Sequence, residues 1–329
     1  MSTLVCRLPR RASPLSSDAM THSVTTIATI MGFGLLAGLG PASAAGTTAP
    51  EAERTEERFI PNYAAGEIYY LWVAPADLDA TSGAELQVHE TGIKAPVPIW
   101  LAADTRITAG LHWRWNRLDF SGSPTFPAAL NLHRVQVPLD FWHSFNDRWK
   151  AWGRVEPGLF TDFNNVNHQA LAVTVLALGS YQFTPEFSAA FGLYYSRDLG
   201  DDRLLPALGA IWKPNRHWNI GLTYPRASVS YAPDPTWLLN LSIAPGGAGW
   251  SLADPATGAD RRLNYENWRV TWAVEHEFVN VFKGSLWVFG GIGLQFGQEL
   301  ELKDGNDVTL FTTELEAAPF VTVGVRLRF

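Results

Sequence analysis

Cysteine is almost missing: the 329 residues hold one, Cys6, and none follows it. Beyond residue 6 this excludes disulfides, thiolate metal sites and cysteine nucleophiles together. Charge is also scarce, at 17% of residues, and acids outnumber bases, 32 to 25, for a net charge of −7. The scattered lysines and arginines form no basic face to neutralise phosphates, which excludes nucleic acid as a partner. No apolar run reaches the roughly 20 residues of a membrane-spanning helix. What is abundant is aromatic: 18 Phe, 14 Trp and 9 Tyr, beside 28 Gly and 21 Pro. That composition fits neither a disordered tail nor a helical array, and the length fits one large β-domain or two ordinary ones.

Val24 to Leu39 carries no charge, follows Arg7, Arg10 and Arg11, and precedes Pro41-Ala42-Ser43-Ala44. Basic residues, a short apolar core and a small-x-small site are the parts of a secretory signal peptide, so residues 1–44 are expected to be removed. Removal takes three arginines, one aspartate and Cys6, and moves the net charge to −9. Residues 45–65, with Glu51, Glu53, Glu56 and Glu57, read as an acidic flexible periplasmic leader. A short helix from Pro50 to Arg58 that plugs the interior is the alternative. Residues 66–329 are left for the folded domain.

That domain alternates with period two. From Arg106 to Asn116, Ile107, Ala109, Leu111, Trp113 and Trp115 share one face, while Arg106, His112 and Arg114 share the other. A pleated strand sorts residues this way and a helix does not. The rhythm returns at Trp218 to Tyr224, at Trp237 to Ile243 and at Trp268 to Val274. The chain ends on Val321, Val323, Val325, Leu327 and Phe329, alternating with Thr322, Gly324, Arg326 and Arg328. This ending resembles the signal that bacterial outer-membrane barrels present to their assembly machinery.

Tight polar turns are expected at Ala103–Thr105, Phe145–Arg148, Thr184–Glu186, Lys213–His217, Ala232–Pro235 and Asn280–Gly284. They alternate with longer links at 75–83, 121–131, 161–167, 198–204, 244–262 and 301–307; Pro225-Arg226 alone is short where a long loop is due. Short turns on one side and long loops on the other describe an all-β, up-and-down antiparallel transmembrane barrel with both termini periplasmic. Up to fourteen strands can be counted, but those between Leu205 and Ile243 fall short of the roughly 9 to 11 residues of a tilted spanning strand. The expectation is therefore twelve, within a range of ten to fourteen. Pro138 and Pro157 interrupt alternating runs, each removing a ladder donor.

The apolar parity then faces outer-membrane lipid, with Trp113, Trp218, Tyr224, Trp237 and Trp268 near its interfaces. The other parity gives the candidate lumen lining: Arg106, His112, Arg114, Arg134, Asp140, Arg154, Glu156, Arg269, Glu275, Arg326 and Arg328. These residues serve either as ion-paired struts or as a cationic lining that favours anionic solutes. Twelve strands lie between a filled interior and an aqueous channel, so a narrow or partly plugged pore is expected.

The stretch from Leu208 to Trp237, with Gly209, Trp212-Lys213-Pro214, Trp218, Tyr224-Pro225 and Tyr231, resembles, together with the Phe-ended strand, a family of bacterial outer-membrane β-barrel proteins of unknown function. The resemblance implies a barrel in a Gram-negative outer membrane and supplies no catalytic residues. The functional expectation is a narrow passive pore, with a small solute as partner, or a structural envelope component.

Catalytic chemistry has little to stand on. His276-Glu277 lacks the second histidine of a zinc-protease helix, and Asp304-Gly305-Asn306-Asp307 lacks the spacing of a calcium loop, so no metal and no cofactor is expected. Ser144 beside His143 falls in a turn. Asp162 with His168, and Asp201 with Asp202, leave an alternative: an outer-membrane lipid or peptide hydrolase with its site on the loop rim. A soluble β-sandwich is the third reading, and it would expose the last strand as an aggregation-prone edge.

Overall fold

The computed structural model describes residues 58–61, 64–164, 166–254, 257–281 and 284–328. The expected signal peptide, most of the leader and Phe329 lie outside the described residues. Strand segments follow one another along the chain: β1 (Ala64–Asp77), β2 (Glu85–Leu101), β3 (Thr105–Ser121), β4 (Ala129–Gln136), β5 (Leu139–Ser144) and β6 (Trp149–Thr161). After a 3-10 turn at His168–Ala170 come β7 (Leu171–Gln182), β8 (Phe187–Leu199), β9 (Asp201–Trp212), β10 (Trp218–Thr223), β11 (Ala227–Tyr231) and β12 (Trp237–Pro245). The last are β13 (Ala248–Ala253), β14 (Asp260–Val281), β15 (Gly284–Asp304), β16 (Thr309–Leu315) and β17 (Ala318–Arg328).

Three pairs of segments are halves of one interrupted strand. β4 and β5 both lie between β3 and β6, β12 and β13 both run along β14, and β16 and β17 both run along β15. Neighbours pair antiparallel, and β17 returns to β1 from Ala64↔Arg328 to Val73↔Phe320, which closes the sheet. The wall is thus a closed antiparallel barrel of fourteen strands, two more than the twelve expected. Length misled: β10 and β11 have only 6 and 5 residues, yet each bonds to a wall strand on both sides. Pro138 marks the β4–β5 break, and the amide of Val137 there donates to the carbonyl of Pro157 at 2.9 Å.

One rim, here the terminal rim, holds the start of β1, the end of β17 and all six tight turns at their expected positions. Local hydrogen bonds explain two of them. Asn146 Oδ1 accepts from the amides of Arg148 and Trp149, each at 2.9 Å. Asp234 Oδ1 accepts from the Thr236 amide at 2.8 Å and its hydroxyl at 2.7 Å, side-chain-to-backbone bonding that specifies a turn. The Thr236 bonds hold the Asp234 carboxyl below its ordinary range, so this support is present above that range and fades as pH falls through the depressed value.

The opposite, loop rim differs from expectation. The link expected at 198–204 is a turn on Gly200 (φ 77), and much of the link at 244–262 is β13 with the start of β14. Polar residues that read as solvated loop are tied to one another: Arg262 to Asp201 at 2.6 Å and Arg197 to Asp202 at 2.9 Å.

The outer face is apolar through its middle, while toward the loop rim Gln87, His89, Arg117 and Asp119 face outward. Val321 and Val323 are 45% and 56% exposed while Phe320 and Thr322 between them are buried; Leu241, Trp272, Ile292 and Leu294 are exposed in the same sense. Aromatic side chains crowd the terminal rim, with the Tyr181 ring in contact with both Trp149 and Phe183. No described helix is long and apolar enough to cross a membrane; the crossing is made by strands, whose backbone groups bond across a closed wall. Val323→Arg should therefore cost about 2 to 4 kcal/mol, read from the urea unfolding midpoint of the barrel refolded into lipid vesicles.

Candidate functional site

The inward parity changes character along the barrel axis. Toward the loop rim it is apolar and packed: Leu71, Val73, Leu86, Leu118, Phe160, Leu263 and Leu300 join one core with Trp250 and Leu252 of β13. The β13 segment leans in far enough for Ser251 to bridge Thr161 of β6 across the interior. On this side the loop-rim half is filled.

Toward the terminal rim the same strands carry carboxylates and cations instead. Glu90, 1% exposed, lies 3.1 Å from Arg269 and 3.4 Å from Arg114. It also accepts from the Tyr69 hydroxyl at 2.6 Å and from Asn116 at 3.0 Å. At the loop-rim end of β8, Asp198 holds Arg134 and Arg226, both at 2.6 Å, together with the Tyr194 hydroxyl. Asp140 takes two bonds from Arg154, at 2.6 and 2.9 Å, and one from the Trp152 indole at 2.8 Å. Glu275 pairs with Arg328 at 2.7 Å and with Arg326, which also reaches Glu67 at 2.6 Å. Taking a carboxylate from water is repaid only by such close multiple donors. Each ion-paired cluster therefore works as a cross-strand strut.

The remaining arc of the interior is built from small residues. Ala190 and Gly192 of β8 face Gly209 and Ala207 of β9; Gly221 and Asn219 of β10 face Ser228 and Ser230 of β11, which face Ser242 and Asn240 of β12. Their neighbours Leu193, Leu208, Leu222 and Leu241 point outward and are exposed, which fixes the small residues as the inner row. Leu178 and Ile211 share this row as larger members. A charged wall thus stands opposite a wall with few side chains to fill the space. Near the terminal rim Phe59 and Ile60 pack on Ala232, Leu238 and Trp287. Phe59 is fixed there by its amide bond to the Arg216 carbonyl at 3.1 Å and by an edge contact with His217.

Of the candidate lining residues, Arg114, Arg134, Asp140, Arg154, Arg269, Glu275, Arg326 and Arg328 fall in these clusters, and His112 lies 3.4 Å from Glu156. Arg106 is exposed at the terminal-rim end of β3. The reading missed Glu67, Glu90, Lys94, Asp198 and Arg226. Glu90 follows Leu86 and Val88 on one parity of β2, so an inner row that turns apolar concealed it. The loop acids do not form a catalytic set among the described residues: Asp162 bonds to Asn164 and to the Ala253 amide, and Asp201 and Asp202 are taken by arginines.

A family model described as "Domain of unknown function (DUF6268)" matches residues 89–328. Among solved structures, the chain is similar to the COG4313 outer membrane channel from Pseudomonas putida F1, at 12% identity and TM-score 0.45, covering 84% of this chain and 100% of that one. It is also similar to a TodX monoaromatic hydrocarbon channel deltaS2 mutant, at 12% and 0.43, covering 82% and 91%. A third is the KdgM porin in complex with disordered oligogalacturonate, at 9% and 0.32, covering 80% and 99%. No curated protein matches the sequence.

Glu90→Ala should be among the most damaging single changes in the interior, costing about 3 to 5 kcal/mol, because it strands Arg114 and Arg269 without their anion. Urea unfolding in vesicles measures it, and Glu90→Ala combined with Arg269→Met should recover part of the loss.

Proposed function

We propose that this chain, which belongs to the family described as a domain of unknown function (DUF6268), is a narrow passive channel of a Gram-negative outer membrane. One observation carries the reading: inside a closed barrel, a row of small residues faces a wall of fixed ion pairs. A purely structural barrel has no need to keep one arc of its interior bare.

In this reading residues 1–44 direct export, the terminal rim faces the periplasm, and Val321 to Phe329 present the assembly signal. The candidate lining residues act first as struts. Among the described residues Lys94, Arg114, Arg134, Arg154, Arg226, Arg269, Arg326 and Arg328 face Glu67, Glu90, Asp140, Glu156, Asp198 and Glu275. Cations exceed carboxylates in this set, so the passage favours small anions modestly. Phe59 and Ile60 stand at its terminal mouth and narrow it.

Refolded protein in planar bilayers should give small ohmic current steps, with a reversal potential in a KCl gradient displaced toward chloride. Phe59→Ala with Ile60→Ala should enlarge the steps. A correctly folded barrel that yields no steps, with or without these changes, would leave only the structural role.

A further inference from the structure

The wall is not equally tall all round. β9 runs from Asp201 to Trp212, but its pairing with β10 covers only Gly209–Trp212. On the other side β11 reaches only to Ala227, opposite Ile243, leaving Ala244 and Pro245 of β12 without a partner on that edge. The turn Tyr224-Pro225-Arg226 therefore floors a notch about eight residues tall, on the order of 26 Å of strand. Its upper end is closed where the β8–β9 turn at Gly200 lies against Gly249 of β13 and Asn264 of β14, with Arg203 to Glu266 at 2.7 Å and Asp201 to Arg262 at 2.6 Å beside it. The Tyr224 amide closes onto the Leu208 carbonyl at 2.9 Å; above it, among the described residues, backbone groups of β9 that point into the notch have no strand partner, a state tolerated at membrane depth only where water reaches them. Pro206, with no amide to satisfy, sits in the middle of this open edge.

The two lips of the notch differ in chemistry. Outside, Leu204, Leu208 and Tyr224 are exposed, and the Tyr224 ring lies 6.5 Å from Trp268. Inside stands Arg226, whose side chain stays 53% exposed while its guanidinium reaches Asp198 at 2.6 Å. Asp198 already holds Arg134, so one carboxylate serves two guanidiniums here. Beside the β12 end of the notch, Asn267 is fully buried with neither amide atom bonded among the described residues. Beside the packed loop-rim core, the notch is where the Asp198–Arg226 pair meets the outside.

We infer that this notch is a side entrance to the lumen, and that Arg226 at its inner lip binds the carboxylate of a small organic acid whose apolar body lies against the outer lip. The inference rests on the channel reading and names the solute class for it. The arriving carboxylate takes the exposed face of Arg226 while Arg134 keeps Asp198 neutralised. A charge-assisted bond of this kind is worth tenfold or more in affinity.

The test is equilibrium dialysis of radiolabelled 4-tert-butylbenzoate against the full-length folded protein in detergent, with 4-tert-butylbenzamide as the uncharged probe. Wild type should bind the benzoate saturably and the benzamide weakly; Arg226→Gln should weaken the benzoate about tenfold, and Arg226→Lys should keep most of the affinity. Equal benzoate binding by wild type and a folded Arg226→Gln overturns the inference, as does displacement of the probe by equimolar dihexanoylphosphatidylglycerol, which would assign the lip to lipid headgroups. Bilayer conductance of the same samples separates the two readings. Current steps with Arg226-independent binding remove the side entrance and leave the channel, whereas Arg226-dependent binding without steps removes the channel and leaves the binding site.

Discussion

A backbone that crosses lipid has to bond every amide and carbonyl to itself, and in this protein the pairing of β17 with β1 makes that bonding complete around most of the wall. Closure removes the sheet edge, and with it the third reading of the sequence, in which the last strand would lie open to solvent. Closure also separates two environments. Because strand side chains alternate, one parity meets hydrocarbon and the other meets whatever the barrel encloses. The exposed Val321 and Val323 and the buried Phe320 and Thr322 are four consecutive residues obeying that single constraint.

Inside, the same constraint leaves the protein to solve the interior twice. Near the loop rim it does so with hydrocarbon, drawing β13 inward so that Trp250 and Leu252 pack among Leu86, Leu118 and Leu263. Elsewhere it uses charge, and no carboxylate such as Glu90, Asp198 or Glu275 is left to a single donor. Such clusters contribute less net stability than their number suggests, since desolvation consumes most of the attraction. What they supply is fixed spacing between strands. The arc of Gly, Ala and Ser residues opposite them makes the space asymmetric, and the short β10–β11 hairpin lies within that arc.

Most of this architecture was legible because alternation and turn chemistry are local. The face of Arg106 to Asn116, the terminal strand and six tight turns needed only near neighbours in sequence. Strand number was harder: β10 and β11 look too short to span, and only their partners β9 and β12 show that they belong to the wall. The parity rule failed where the two faces exchange character: along the start of β2 the buried row is Leu86 and Val88 while Gln87 and His89 face outward, and Glu90 was lost with that inversion. Ion-pair partners such as Arg134 and Asp198 are 64 residues apart, a separation that no local pattern encodes. Even so, the one irregular link, Pro225-Arg226, stood out in the sequence as too short for its side of the barrel, and in the structure it lies at the single break in wall height described above.

The account turns on the sorting of alternate side chains between lipid and interior, and a nitroxide scan along β17 measures it directly. A variant lacking residues 1–44, and with them Cys6, has no native cysteine, so single cysteines at Val321, Thr322, Val323, Gly324, Val325 and Arg326 can each carry the label in vesicles. Collision rates with molecular oxygen should be high at 321, 323 and 325 and low at 322, 324 and 326. A flat profile, or one in which the even positions collide with oxygen more, would contradict it.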